Sequence, residues 1–174
     1  MPIQYRQPSL TVNSVLGNKC FAYSTLNALS NSGVATPNIT NQLQADAWIK
    51  SQSTFVSTGG GPGIVLKALA LTPKEYAVKY TDKILNRAKY ATLNNLPTII
   101  ATTVGGLNHW IFFTGVSGSN ILAEDQQNPA RGVLSFTPNA SGVYTATAGT
   151  VSYTLNSITI FITISAQRDA LDTM

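Results

Sequence analysis

Hydrophobic positions change their rhythm about halfway along the chain. In the first half they recur at three- and four-residue intervals, the spacing of an amphipathic helix. Phe21, Ala22, Leu26 and Leu29 keep this spacing from Asn18 onward, and Asn31-Ser32-Gly33 closes the run. A second helix is predicted over 40–50, with Thr40 as its N-cap and Leu43, Ala47 and Trp48 on one face. The stretch Ser57-Thr58-Gly59-Gly60-Gly61-Pro62-Gly63 is too rich in glycine for regular structure. The apolar run 64–71 then reads as a short helix. A longer amphipathic helix follows over 82–95, with Ile84, Leu85, Ala88 and Leu93 as its inner residues.

After Pro97 the period falls to two. Segments 98–103, 109–115, 120–124, 132–136, 143–147 and 157–165 are rich in Ile, Val, Phe, Tyr and Thr, with Gly, Asn, Ser and Pro between them. These are predicted strands. Helices first and strands afterwards predict an α+β fold, a helical half packed on an antiparallel sheet. The first twelve residues read as extended and 167–174 as a polar tail. A chain of 174 residues forms one domain, 1–174, with a core over about 13–165.

Composition narrows the function classes. Charged residues make up 10% of the chain, against the usual quarter, and Ser, Thr, Asn and Gln cover the surface instead. The net charge of +4 reflects a shortage of acids. The basic residues that cluster, Lys67, Lys74, Lys79, Lys83, Arg87 and Lys89, are interrupted by Glu75 and Asp82. They read as a solvated helical face and not as a nucleic-acid site. A single cysteine excludes an intramolecular disulfide and a Cys-based zinc site, and a single histidine excludes a multi-histidine metal site. The start lacks a charged segment followed by an apolar run, and the run 158–164 is too short to cross a bilayer. The expectation is synthesis in the cytoplasm without a signal peptide, with neither membrane nor nucleic acid as partner. Secretion by a specialised system stays open.

Three residues carry candidate chemistry. Cys20 falls in the first turn of its helix, after Gly17-Asn18-Lys19, where the helix N-terminus and Lys19 favour a thiolate. Its alternative is a buried structural thiol, the common fate of a lone cysteine. His109 opens the apolar strand His109-Trp110-Ile111-Phe112-Phe113 after the turn-like Gly105-Gly106-Leu107-Asn108, which exposes an imidazole at a sheet rim. Asp125 ends the next strand. Antiparallel pairing of the two strands makes Asp125 and His109 cross-strand neighbours and sends Glu124 to the other face.

Cys20-Phe21-Ala22-Tyr23-Ser24 resembles the Cys-Trp-Ala-Phe-Ser segment that opens the nucleophile helix of papain-like cysteine proteases. Asn108-His109 before an apolar strand resembles their histidine segment, and Asp125 stands where that family places the Asn or Asp that holds the histidine. Gly59-Gly60 resembles the glycine pair of their substrate groove. The resemblance runs from about Asn13 to Ile164. Cys20 and His109 are 89 positions apart, against about 130 or more in papain and the cathepsins. That spacing resembles the compact bacterial branch, with its bacteriocin leader peptidases and effector proteases. The glutamine that supplies the oxyanion hole in the family is missing from its place ahead of the cysteine. Asn13 is favoured as its substitute, with Asn18 and Ser14 as alternatives.

The resemblance implies a papain-like fold and a cysteine peptidase that needs no metal or organic cofactor. Cys20 is its nucleophile, His109 its base and Asp125 the group that orients the ring. Gly59, Gly60 and Asn108 line the substrate site. It further implies a protein or peptide substrate, an effector or toxin role, and a cognate inhibitor or immunity protein as partner. Peptidoglycan amidase or endopeptidase activity, glutamine deamidation and a non-catalytic binding scaffold remain alternatives.

Overall fold

The computed structural model describes residues 3–55, 62–71, 76–80 and 83–174. The helices are α1 (Cys20–Asn31), α2 (Gln42–Ser51), α3 (Pro62–Leu69), α4 (Ile84–Leu93) and α5 (Ser165–Asp172). The strands are β1 (Tyr76–Tyr80), β2 (Thr98–Val104), β3 (Leu107–Ser117), β4 (Asn120–Glu124), β5 (Val133–Pro138), β6 (Tyr144–Ala148) and β7 (Val151–Ile162).

Strands β2 to β7 pair each with the next, and β7 returns to pair with β2. An even number of antiparallel strands closes without a parallel pair, so the sheet becomes a six-stranded barrel with few free edges. The first half of β7 faces β6, and its second half faces β1, which extends the sheet beyond the closed part. The expected α+β class is observed, and its antiparallel sheet is closed into a barrel.

Side-chain alternation divides the core in two. Ile100, Ile111, Ile121, Leu134, Ala146 and Tyr153 fill the barrel, and Ile84, Ala88 and Leu171 from α4 and α5 join them. On the outer face, Ile99, Phe112 and Phe161 meet α1, α2 and α3 through Phe21, Leu26, Ile49 and Val65. Two bulges adjust the alternation. Ala101 pairs with Ser157 and Thr102 with Leu155, so Asn156 is the extra residue of β7. For that reason Leu155 and Ile158, three positions apart, both join the barrel core. Thr114 plays the same part in β3, between Phe113 and Gly115.

Several expectations need correction. The N-cap of α2 is Asn41, whose side chain accepts from the Gln44 N–H. The buried face of that helix runs through Ala45 and Ile49, while Leu43 and Ala47 are exposed. Leu93 is exposed too, because α4 turns Ile84, Ala88 and Ala91 to the barrel and ends there. Residues 165–172 form α5 and not a tail, anchored by fully buried Leu171. β7 begins at Val151, well before 157; the bulge at Asn156 hides its first half by resetting the period. Arg87 is not part of a solvated face: it is buried and donates to the Met174 carbonyl. Among the described residues no helix is long and apolar enough to cross a membrane.

Candidate active site

The approach to Cys20 is fixed by close packing of backbone. A 3-10 turn over Leu16–Asn18 leads into α1, and Asn13 caps it, its Oδ1 accepting from the Val15 and Leu16 N–H groups at 3.0 and 2.9 Å. Gly17 lies so near the chain at Ser9 and Leu10 that a Cβ there would be 2.8 Å from Leu10 Cα. Lys19 follows as N-cap without a side-chain cap, and Cys20 is the first helical residue. The first N–H groups of a helix have no acceptor within it, so they point a partial positive charge at the thiol. Cys20 itself is only partly buried, unlike a structural core thiol.

His109 is brought to the barrel rim by a tight hairpin. Gly105 and Gly106, both at positive φ (57° and 75°), make the two-residue turn between paired Val104 and Leu107. A turn of that hand needs residues without a Cβ. Two residues on, His109 shares its face with Ile111 and Phe113, at the end of the barrel interior. Phe112 pairs with Glu124, so Asp125 falls opposite Ile111 and diagonal to His109. A diagonal pair lies within reach of longer side chains. His109 Nε2 and Asp125 Oδ1 are 2.8 Å apart. The aspartate accepts, so Nε2 carries the hydrogen and Nδ1 is left as the free acceptor of the ring; Cys20 lies near enough to help hold the ring's charged form.

Every oxygen of Asp125 is held. The Gln127 N–H donates to Oδ1 at 2.9 Å, and Oδ2 accepts from Tyr153 Oη at 2.5 Å and Asn128 Nδ2 at 3.0 Å. Arg131 donates to Tyr153 Oη at 2.7 Å and lies 3.9 Å from Asp125 Oδ2. Burial by itself would raise the carboxyl pKa. The hydrogen bond and charge of His109, with the donors Tyr153 and Asn128, outweigh it and hold Asp125 well below the usual carboxylate range. Burial likewise works against the charged ring of His109. Asp125 and then Cys20 reverse that effect and bring its pKa up to about 9.

A carboxamide network joins this carboxylate to the cysteine's approach. The Gln7 N–H donates to the Gln126 carbonyl at 3.0 Å, and Gln7 Nε2 donates to the Gly17 carbonyl at 2.9 Å. Gln126 Nε2 donates to Gln7 Oε1 and the Trp110 carbonyl, and Gln127 Nε2 to the Pro8 and Gly17 carbonyls. The extended segment around Gln7 thus fastens the two halves of the site. It is held in turn by Asn27 of α1, which accepts from Gln4 N and Tyr5 N and donates to the Tyr5 carbonyl.

Cys20, His109 and Asp125 are therefore brought together. Asn13 does not join their hydrogen-bond network: its carbonyl oxygen caps the 3-10 turn, leaving only its NH2 end as a donor. Asn18 Nδ2 is spent on the Ser14 carbonyl. Asn108 is exposed at the rim beside His109. Gly59 and Gly60 lie outside the described residues. Tyr153, Gln7 and the two glutamines after Asp125 were not foreseen as site residues. Only the run Asp125-Gln126-Gln127-Asn128 hinted at them, as a polar cluster closing an apolar strand. Compared with protein-family models, curated proteins and solved structures, the chain has no match.

Proposed function

We propose that the protein is a papain-like cysteine peptidase that cleaves a peptide bond through Cys20, His109 and Asp125. The observation that carries this reading is the position of His109, bonded through Nε2 to buried Asp125 at 2.8 Å and near enough to Cys20 for the thiol to help hold the ring's charged form. The nucleophile on the helix and its partners on adjacent barrel strands support the papain-like reading.

In the proposed reaction His109 Nδ1 takes the thiol proton, and the sulfur attacks the amide carbonyl carbon. The negative charge moves to the carbonyl oxygen, where the Cys20 backbone N–H stabilises it, and the free NH2 of Asn13 is the side-chain candidate beside it. Asp125 holds the Nε2–H tautomer and stabilises the imidazolium. His109 returns the proton to the departing amine as the C–N bond breaks, leaving an acyl-enzyme. A water deprotonated by His109 then attacks the thioester and releases the acid and the thiol. The chain's own residues account for each proton. An effector or toxin role, with a cognate inhibitor, goes with this proposal through the bacterial-branch resemblance.

The test is Cys20 alkylation by iodoacetamide from pH 4 to pH 9, in wild type and His109→Ala. Fast reaction that persists below pH 7 in wild type and is lost in the variant is the expected result. A rate that rises only near the free-thiol pKa of about 8.5, the same in both proteins, would overturn the reading.

A further inference from the structure

A crevice of about 240 Å³ opens beside His109, lined by Ala101, Thr102, Asn108, His109, Trp110 and Asn156. Apart from His109, whose ring is engaged by Asp125, its lining carries no charged residue. Its exposed polar groups are the carboxamides of Asn108 and Asn156.

Asn156 owes its place to an irregularity in the barrel. It is the extra residue of the β7 bulge, opposite the junction of Ala101 and Thr102, which themselves line the crevice. Bulges re-aim a side chain out of the regular alternation and concentrate beside active sites. The Asn156 amide is held in orientation, with Nδ2 donating to Thr103 Oγ1 at 2.9 Å. That leaves Oδ1 as a fixed acceptor. Thr102 Oγ1 is already spent on the His109 carbonyl at 2.7 Å, so it tightens the wall and does not bind.

On these grounds we infer that the crevice is a specificity subsite for a carboxamide side chain, glutamine or asparagine, within two residues of the cleaved bond. Asn156 and Asn108 are its specificity-determining residues. This inference rests on the peptidase reading above. A carboxamide offers one donor end and one acceptor end, and the two carboxamides that line the crevice answer both. A lysine would enter a half-enclosed crevice whose lining holds no carboxylate, and a glutamate would find its one cation, His109, already paired with Asp125. An aliphatic side chain would strip water from both asparagines and return nothing. The indole of Trp110 and the methyl of Ala101 supply the apolar wall along which the methylenes of glutamine lie.

Two measurements test this, and they separate it from the peptidase reading. In a positional-scanning peptide library the wild type should select Gln or Asn at one position next to the cleavage site. Asn156→Leu, at an exposed position, should lower kcat/KM for that residue at least tenfold and leave Cys20 alkylation by iodoacetamide unchanged. Selection for charged or aliphatic residues at every position, or an unaltered profile in Asn156→Leu, would overturn the inference. Independently of catalysis, N-acetyl-glutamine methylamide should shift the side-chain NH2 resonances of Asn156 and Asn108 in Cys20→Ser protein, and N-acetyl-leucine methylamide should not. If no peptide is cut and those resonances still move with the glutamine probe alone, the peptidase reading fails and the crevice stands only as a carboxamide-binding site. If they move with neither probe, or equally with both, the subsite fails.

Discussion

Tyr153 donates its phenolic hydrogen to Asp125 Oδ2 at 2.5 Å from a strand that does not pair with the one Asp125 follows. The barrel closes on itself, so β7 faces the end of β4 across the interior, and Tyr153 reaches the carboxylate from there. The residue that holds His109 is thus itself held by the opposite wall. Burial of the phenol and its bond to Asp125 keep Tyr153 protonated far above its ordinary range, so it remains a donor at every working pH.

Tyr153→Phe should therefore weaken the site without removing a triad residue. It leaves a buried carboxylate short of one charge-assisted bond, which costs about 1.5–3 kcal/mol. Urea unfolding at pH 7 should show that loss. Asp125 has a depressed folded pKa, so its contribution to stability is present above the ordinary carboxylate range and is lost as pH falls toward the folded value. In the variant that loss should begin at higher pH, visible as an acid unfolding midpoint moved upward.

The histidine works in the other direction. Its pKa rises from 6.5 to about 9 in the folded protein. Its contribution to stability is therefore complete below pH 6.5 and disappears as pH rises through about 9. The urea midpoint should fall between pH 7 and pH 10, and His109→Gln should flatten that fall. Under the proposed mechanism the alkaline limb of kcat/KM is expected near pH 9 for the same reason, since there the imidazolium protonates the leaving amine.

Gly17→Ala should disturb Cys20 from a distance. The added Cβ would meet the Leu10 backbone at 2.8 Å, and the neighbour is main chain that cannot swing aside. Overpacking of this kind costs about 1–3 kcal/mol. Thermal unfolding should register it, and the rate of Cys20 alkylation at pH 6 should drop because the turn that delivers the cysteine has moved.

Asn27→Leu tests the clamp on the N-terminal segment. Fully buried Asn27 makes four hydrogen bonds, with Gln4 N, Tyr5 N and the carbonyls of Tyr5 and Tyr23, at 2.7 to 2.9 Å. Replacing it leaves the backbone of residues 4–5 without partners. The loss should be about 3 kcal/mol or more, at roughly 1 kcal/mol per bond plus unsatisfied groups. Limited proteolysis should then cut within the first ten residues, where the wild type resists.

The helices α1 and α4 and the strands β2 to β6 were legible because each is a segment whose own periodicity states which face is buried. Cys20, His109 and Asp125 were legible as well, each marked by a local signal: a helix start, a glycine turn, a strand end. Leu43 and Leu93 misled because an apolar residue at helical spacing does not reveal where the neighbouring surface stops, and both lie beyond it. The first half of β7 was hidden because a bulge leaves no mark in composition; it only makes Leu155 and Ile158 look out of step.

The sequence by itself determined most of the succession of helices and strands and pointed to Cys20, His109 and Asp125 as the candidate site, since both follow from interactions between residues close along the chain. Tertiary structure alone decided that the sheet closes, that Tyr153 meets Asp125, that Gln7 spans the two halves of the site, and that Asn156 and His109 line one crevice. Each of these is a pairing between residues distant in the chain. Its energy depends on burial that exists only once the barrel has formed, so no local pattern records it.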